Sequence, residues 1–152
     1  MRAAILGLGL LAAVAACGRV NQRAFENVNR ASHRIEPAVT SKSTLADYRA
    51  ALADFTAALD AVKSQELSAR DQTLVQRYDE VRHSLDDIRL VWEEREARRQ
   101  ELLPIAEPLP GRLQKEYGLP VNTNEPPSIY ATEARNLIWE SARKKLEAIH
   151  AD

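Results

Sequence analysis

The chain of 152 residues is poor in the residue types on which several classes of protein depend. Its single cysteine excludes a disulfide framework, a Cys-x-x-Cys metal or redox site and the attachment of c-type haem. Its five glycines form neither a phosphate-binding loop nor a Gly-x-Ser-x-Gly nucleophile turn. The 21 basic and 22 acidic residues nearly cancel, so the chain lacks the basic excess of a nucleic-acid-binding protein. We therefore expect a protein that is not an enzyme and that binds neither a cofactor nor a nucleic acid.

A long hydrophobic run occurs only at the N-terminus. After Met1-Arg2, residues 3–16 carry no charge. This run is shorter than the roughly 20 residues that cross about 30 Å of hydrocarbon, but it has the length of the apolar region of a signal peptide. The run ends in Val14-Ala15-Ala16, and the next residue is the only cysteine, Cys17.

This ending resembles the lipobox of bacterial lipoproteins, in which an aliphatic residue and two small residues precede a cysteine. The resemblance covers the first seventeen residues, and it implies that residues 1–16 are cleaved and that the sulfur of Cys17 carries a diacylglycerol. Gly18 replaces the Asp that commonly retains such proteins in the inner membrane. The implied location is therefore the outer membrane, facing the periplasm. Ordinary secretion with a free Cys17, or a short uncleaved anchor, is the alternative.

Apolar residues at heptad spacing predict two long helices, over residues 43–65 and 69–103. The two seams are Leu45, Tyr48, Leu52, Phe55, Leu59 and Val62, followed by Leu74, Tyr78, Val81, Leu85, Ile88 and Trp92. Potential capping boxes precede each seam, namely Ser43 or Thr44 with Asp47, and Ser68 with Asp71. Two such helices joined by a short turn predict an antiparallel hairpin.

Shorter periodic stretches predict one helix on each side of this hairpin. The first covers residues 20–35 and ends before Pro37, while the second covers residues 128–150 and is capped by Ser128 or Thr132. No run alternates with a period of two for long enough to predict a strand. The expected fold of residues 17–152 is a single all-α domain, in which the hairpin is extended into a three- or four-helix bundle.

The segment 104–127 interrupts the helical pattern and holds six of the seven prolines. A gap of this length is uncommon inside a compact domain. It is either an ordered crossover before the last helix or an extended arm that binds a partner, since proline lowers the entropic cost of fixing an arm. Residues 112–117 within it suit a helical turn.

The longer helix of the hairpin is predicted to extend past its partner by about 18 Å at its C-terminal end. This overhang, residues 92–103, is either a solvated helix end with pairs such as Glu94 with Arg98, or a docking surface. Aromatic, arginine and leucine side chains in and near it are the candidate partner-binding residues. These are Trp92, Arg95, Arg99, Leu102, Tyr117 and Tyr130.

Two Glu-x-x-His motifs, at 80–83 and 147–150, match the ligand pattern of di-iron helical bundles. The heptad frame places His83 on the outermost side of its helix, and His150 lies near the chain end, where helices fray. We therefore predict no metal site, and we expect Asp79, His83 and Asp87 to share an exposed polar face. His33 is also expected at the surface.

These features favour a lipid-anchored scaffold or accessory subunit of a bacterial envelope complex that acts by protein–protein contacts. Its expected partners are the bilayer, through acylated Cys17, and another envelope protein. Homodimerisation through the overhang would also cover Trp92 and Leu102. The alternatives are a targeting chaperone, since the chain is similar to pilotins in size, anchor and helical content, and a carrier of a small ligand or metal.

Overall fold

The computed structural model describes residues 22–40 and 43–151. Within these ranges the chain is predominantly helical, with five helices and one two-stranded sheet. The elements are α1 (Gln22–Thr40), α2 (Leu45–Lys63), α3 (Ala69–Arg98), β1 (Leu102–Pro104), α4 (Pro108–Tyr117), β2 (Ser128–Tyr130) and α5 (Ala131–His150). No helix of the described ranges is long and apolar enough to cross a membrane. The predicted signal peptide and Cys17 lie outside the described residues.

Helices α2 and α3 lie antiparallel, and both begin with the predicted capping boxes, at Thr44 with Asp47 and at Ser68 with Asp71. The whole seam of α2 is buried. The hydroxyl of Tyr48 donates to the carbonyl of Leu85 over 2.7 Å, so the polar end of a buried ring has a partner.

The buried face of α3 is wider than its heptad seam. Helix α5 packs along α3 as well, and Arg112 and Tyr117 of α4 reach it, so that α3 also buries Ser84, Asp87 and Val91 outside its seam. The predicted exposed position of Asp87 is therefore wrong, because its side chain is only 1% exposed. A heptad seam describes contact with one partner helix, whereas α3 has two.

Helix α1 does not end before Pro37 as predicted but continues to Thr40. A proline inside a helix removes one backbone hydrogen bond and costs about 3 kcal/mol. The next turn buries Ala38 and Val39, so tertiary packing offsets this cost. At its other end α1 reaches α3, where the rings of Phe25 and Tyr78 stack with their centroids 5.9 Å apart.

Helix α3 ends at Arg98 rather than at residue 103. Arg99 is left-handed, with φ of 53°, and the N–H groups of Arg99 and Gln100 close the last turn on the carbonyls of Glu96 and Arg95. The chain then turns back into β1, so the predicted helical overhang over 92–103 is wrong in its second half.

Strands β1 and β2 pair antiparallel, with Leu102 opposite Tyr130 and Leu103 opposite Ile129. Leu103 and Ile129 are buried beneath the sheet. The prediction of no strand is corrected here, because three-residue strands are too short to show an alternating pattern. Helix α5 consequently begins at Ala131, not at Ser128, with Tyr130 as its N-cap.

The proline-rich segment 104–127 contains α4, which begins at Pro108 and is closed by left-handed Gly118. Leu113 and Leu119 of this segment are buried. In the described structure the segment is thus an ordered crossover packed on the body of the protein, the first of the two alternatives that its composition allows.

Candidate functional site

The most connected polar group in the described structure surrounds Asp87 in the middle of α3. Arg112 of α4 donates to both carboxylate oxygens, over 2.5 and 3.2 Å, and the hydroxyl of Tyr117 donates over 2.7 Å. The bidentate pair neutralises a carboxylate that is otherwise removed from water. Its hydrogen bonds to Asp87 raise the pKa of the Arg112 guanidinium, and burial raises the pKa of Tyr117.

Ser84, one turn before Asp87, extends this Asp87 cluster to α5. The Nζ atom of Lys145 donates to its hydroxyl oxygen over 3.0 Å. A serine beside a lysine is a known nucleophile–base pair, but Ser84 is fully buried and its hydroxyl donates to the carbonyl of Glu80. The arrangement therefore joins helices and does not present a nucleophile to a substrate.

His83, Asp87 and Glu116 bring three potential metal-ligand atoms within 4.8 Å of one another. The Nε2 atom of His83 lies 3.2 Å from Glu116 and 3.6 Å from Asp87. Arg112 also pairs with Glu116, over 2.9 Å. Because this guanidinium already contacts both carboxylates, an ionic network between α3 and α4 explains the cluster better than a cation site does. Asp79 takes no part in it and pairs with Lys63 at 2.7 Å.

A separate apolar surface lies where β1 and β2 meet α5. Leu102 and Tyr130 face each other across the sheet and are 39% and 43% exposed. Leu137 follows Tyr130 by seven positions, which places it two turns along α5 on the same side, and it is 40% exposed. These are the large apolar side chains that the described structure leaves exposed, and we call them the strand-end surface.

The other candidate partner residues are distributed differently. Trp92 is buried, with its ring 5.7 Å from that of Tyr48 and the Arg135 guanidinium 4.4 Å from its centroid. Arg95 and Arg99 lie at the end of α3, just before β1. Tyr117 belongs to the Asp87 cluster. The structure therefore brings Leu102 and Tyr130 together at the surface and places Trp92 in the core.

Sequence reasoning missed Glu101, which caps α5 from outside that helix. Its backbone carbonyl accepts the N–H of Ala131 over 2.8 Å, and its carboxylate accepts the N–H of Thr132 over 2.5 Å. The same carboxylate pairs with Arg95 at 2.5 Å. Burial alone would raise the pKa of Glu101, but the hydrogen bonds from Thr132 and Arg95 outweigh it and lower that pKa. A cap supplied from thirty residues away leaves no local sequence signal.

Comparison with known proteins gives no relative for this chain. No family model, no curated protein and no solved structure matches it.

Proposed function

We propose that this protein is a lipid-anchored, periplasm-facing scaffold or accessory subunit of a bacterial envelope complex. The observation that carries the proposal is the exposed strand-end surface of Leu102, Tyr130 and Leu137. Exposed apolar clusters on a polar protein are typical of sites where another protein binds. The lipobox ending in Cys17 supplies the anchor and the outer-membrane location.

The anchor and the strand-end surface belong to opposite ends of the protein. Phe25, near the start of α1, stacks on Tyr78 of α3. From Tyr78 to the end of α3 at Arg98 the helix rises about 30 Å, and Leu102 follows. Cys17 precedes α1 by five positions, which span at most about 18 Å when extended. Lipid on Cys17 would thus hold the α1 end near the bilayer and direct the strand-end surface toward the periplasm.

The helices between these ends suit a rigid spacer. Helix α1 packs on α2, α2 on α3 and α3 on α5, while α5 also contacts α1. We propose that these four helices form a closed bundle with α4 as a brace across α3 and α5. A closed bundle keeps a fixed distance between the bilayer and the partner, which is what an accessory subunit requires.

Site-specific photo-crosslinking in living cells tests the proposal. A photoreactive phenylalanine analogue is placed at Tyr130 or Leu137, and a matched control is placed at Gln72, an exposed position in the first turn of α3. We expect one discrete crosslinked species of higher mass from the first two positions and none from the control. The complex should also be retained when native membranes are extracted in mild detergent.

The scaffold function would be contradicted if the extracted protein migrated alone and gave no crosslink specific to Tyr130 or Leu137. A crosslink to a second copy of the chain would show that the strand-end surface forms a homodimer instead.

The chaperone alternative uses a different surface. An open groove between α2 and α3 is lined by small side chains such as Ala53 and Ala57 and by the charged Asp86 and Arg89. A targeting chaperone would hold a peptide there and release it. A photoreactive residue at Ala57 therefore distinguishes the two functions: crosslinks there but not at Tyr130 favour the chaperone.

A further inference from the structure

We propose that His33 and His150 form a two-imidazole binding site for a divalent transition-metal ion, of which Zn²⁺ is the simplest example. The site joins α1 to the last residue of α5. It is independent of the proposed scaffold function, and it lies apart from the Asp87 cluster.

The spacing of the two rings fits one shared ion. Their centroids are 5.6 Å apart and their planes are inclined by 31°. A Zn–N bond of about 2.0–2.1 Å puts each ring centroid roughly 3.2 Å from the metal, so two imidazoles at a tetrahedral angle have centroids about 5.2 Å apart. A linear arrangement of the same bonds gives about 6.4 Å. The observed separation falls between these limits, so the distance between the two rings is compatible with one shared ion.

The end of α5 is held in place, contrary to the expectation that it frays. Arg77 of α3 donates to the carbonyl of Ala148 over 2.7 Å, and the N–H of Ala151 caps the carbonyl of Glu147 over 3.1 Å. Ile149 is buried, being only 7% exposed. The backbone that carries His150 is therefore fixed relative to α3, which reduces the entropic cost of binding a ligand there.

The chemistry of the pair favours a metal over two protons. An imidazole nitrogen is a ligand that Zn²⁺ prefers, and the two rings lie close enough to share one ion. Two imidazolium ions this close repel each other. One metal ion binds a lone pair of each ring and so satisfies both.

Two acidic residues lie one helical turn away from the two histidines along the chain, and neither is assigned as a ligand. Glu36 is exposed and follows His33 by three positions, about one turn along α1. Glu147 lies one turn before His150 and pairs with Arg143. With two protein nitrogens and the remaining positions taken by water, the site is an open one. His83 differs, because its carboxylate neighbours are already bonded to Arg112.

The test uses the full mature chain, purified without an oligohistidine tag and stripped of metal by a chelator. Zinc chloride is then titrated at pH 7.5 by calorimetry, and thermal unfolding is followed with and without the metal. The variants are His33→Ala, His150→Ala and, as the matched control, His83→Ala. We expect zinc to bind with a stoichiometry of one and to raise the Tm of the parent and of His83→Ala.

The affinity for zinc should fall at least tenfold in His33→Ala and in His150→Ala and less than twofold in His83→Ala. Because both substituted residues are exposed, the metal-free variants should unfold cooperatively, and circular dichroism checks that they do. NMR of the histidine rings is a readout that does not depend on stability. Zinc should shift the resonances of the His33 and His150 rings and leave those of His83 unchanged. Failure of zinc to bind, or loss of binding only in His83→Ala, overturns the proposal, and the latter result assigns the metal to the Asp87 cluster.

Discussion

At the scale of single residues, the unexpected feature is a buried carboxylate. The heptad pattern of α3 places Asp87 on an exposed face, and no pattern in the sequence indicates that α4 will contact it there. Its partner Arg112 comes from the proline-rich segment, where periodicity is weakest. The ionic network of Asp87, Arg112 and Tyr117 therefore follows from tertiary packing alone. The sequence predicts an ion pair only when its two members are neighbours on one helix, as Glu94 and Arg98 are.

Replacing Arg112 by alanine should destabilise the protein strongly. The substitution leaves the buried carboxylate of Asp87 without this counter-ion, and because Arg112 is itself 40% exposed, we expect a loss of about 1–3 kcal/mol of unfolding free energy. Urea unfolding followed by circular dichroism measures the change. Arg143→Ala is the matched control, because Arg143 also pairs with two carboxylates, those of Glu140 and Glu147, but at the surface. Equal losses in the two variants would contradict a special role for Asp87.

A glycine is required at position 111 because there is no space there for a side chain. A Cβ atom at this position would lie 2.5 Å from the backbone carbonyl oxygen of Ile105, so Gly111→Ala must displace α4 from the turn before it. We expect a loss of about 1–3 kcal/mol, as for other overpacked sites. Gly118→Ala meets no atom but forces a left-handed backbone, which costs about 1 kcal/mol. Thermal unfolding of both variants should rank Gly111→Ala as the less stable, and the reverse order would contradict the clash.

At the scale of elements, the sequence predicts what local rules determine. The capping boxes at Thr44 and Ser68 and the seam of α2 lie where the pattern places them. The errors occur where distant residues decide, at the turn of α1 that continues through Pro37 and at β1. That strand forms because Leu103 and Ile129 are buried together, although neither flanking segment shows an alternating pattern.

The cap that Glu101 provides for α5 predicts a dependence of stability on pH. The folded-state pKa of Glu101 is lowered, so the native state binds the proton less tightly than the unfolded chain does. The stabilisation is therefore complete above the unfolded-state pKa and is lost as the pH falls through the folded-state pKa. Glu101→Gln should be less stable than the parent at pH 7 and equally stable at strongly acidic pH.

Chemical denaturation at a series of pH values measures this difference. Glu96→Gln is the control, because Glu96 is exposed and lies near the C-terminal end of α3, five residues before Glu101. The free energy of unfolding of Glu96→Gln should match that of the parent at every pH. A constant difference between Glu101→Gln and the parent down to acidic pH would exclude the charge of Glu101 as the cause.

At the scale of the whole molecule, composition and periodicity predict a helical protein and identify no chemistry. The strand-end surface combines residues of three elements, namely Leu102 of β1, Tyr130 of β2 and Leu137 of α5. Sequence reasoning selected Leu102 and Tyr130 but not Leu137, because an exposed leucine on an amphipathic helix does not stand out among buried ones. The selection also included Trp92, whose burial depends on the contacts with Tyr48 and Arg135.

The proposed anchor makes a prediction that concerns the whole chain. Cys17→Ser should abolish labelling by palmitate and release the protein from the membrane fraction. Gly18→Asp keeps the acylated cysteine and should move the protein from the outer to the inner membrane in a density gradient. Neither change touches the described helices, so the far-UV circular dichroism should stay the same. Retention of Cys17→Ser in washed membranes would contradict a lipid anchor.

The pairing of β1 with β2 also has a consequence for the order of folding. Helices α2 and α3 are joined by a short turn, so they meet at a small cost in loop-closure entropy. The pairing of Leu103 with Ile129 must instead enclose the whole of segment 104–128. A chain that leaves the ribosome N-terminus first can therefore complete the α2–α3 hairpin before α5 has been synthesised. Until α5 docks, the face of α3 that α5 covers, which carries Ser84, stays open to water and to other chains. Docking of α5 then buries the apolar surface through which a partly folded chain would otherwise associate with other chains.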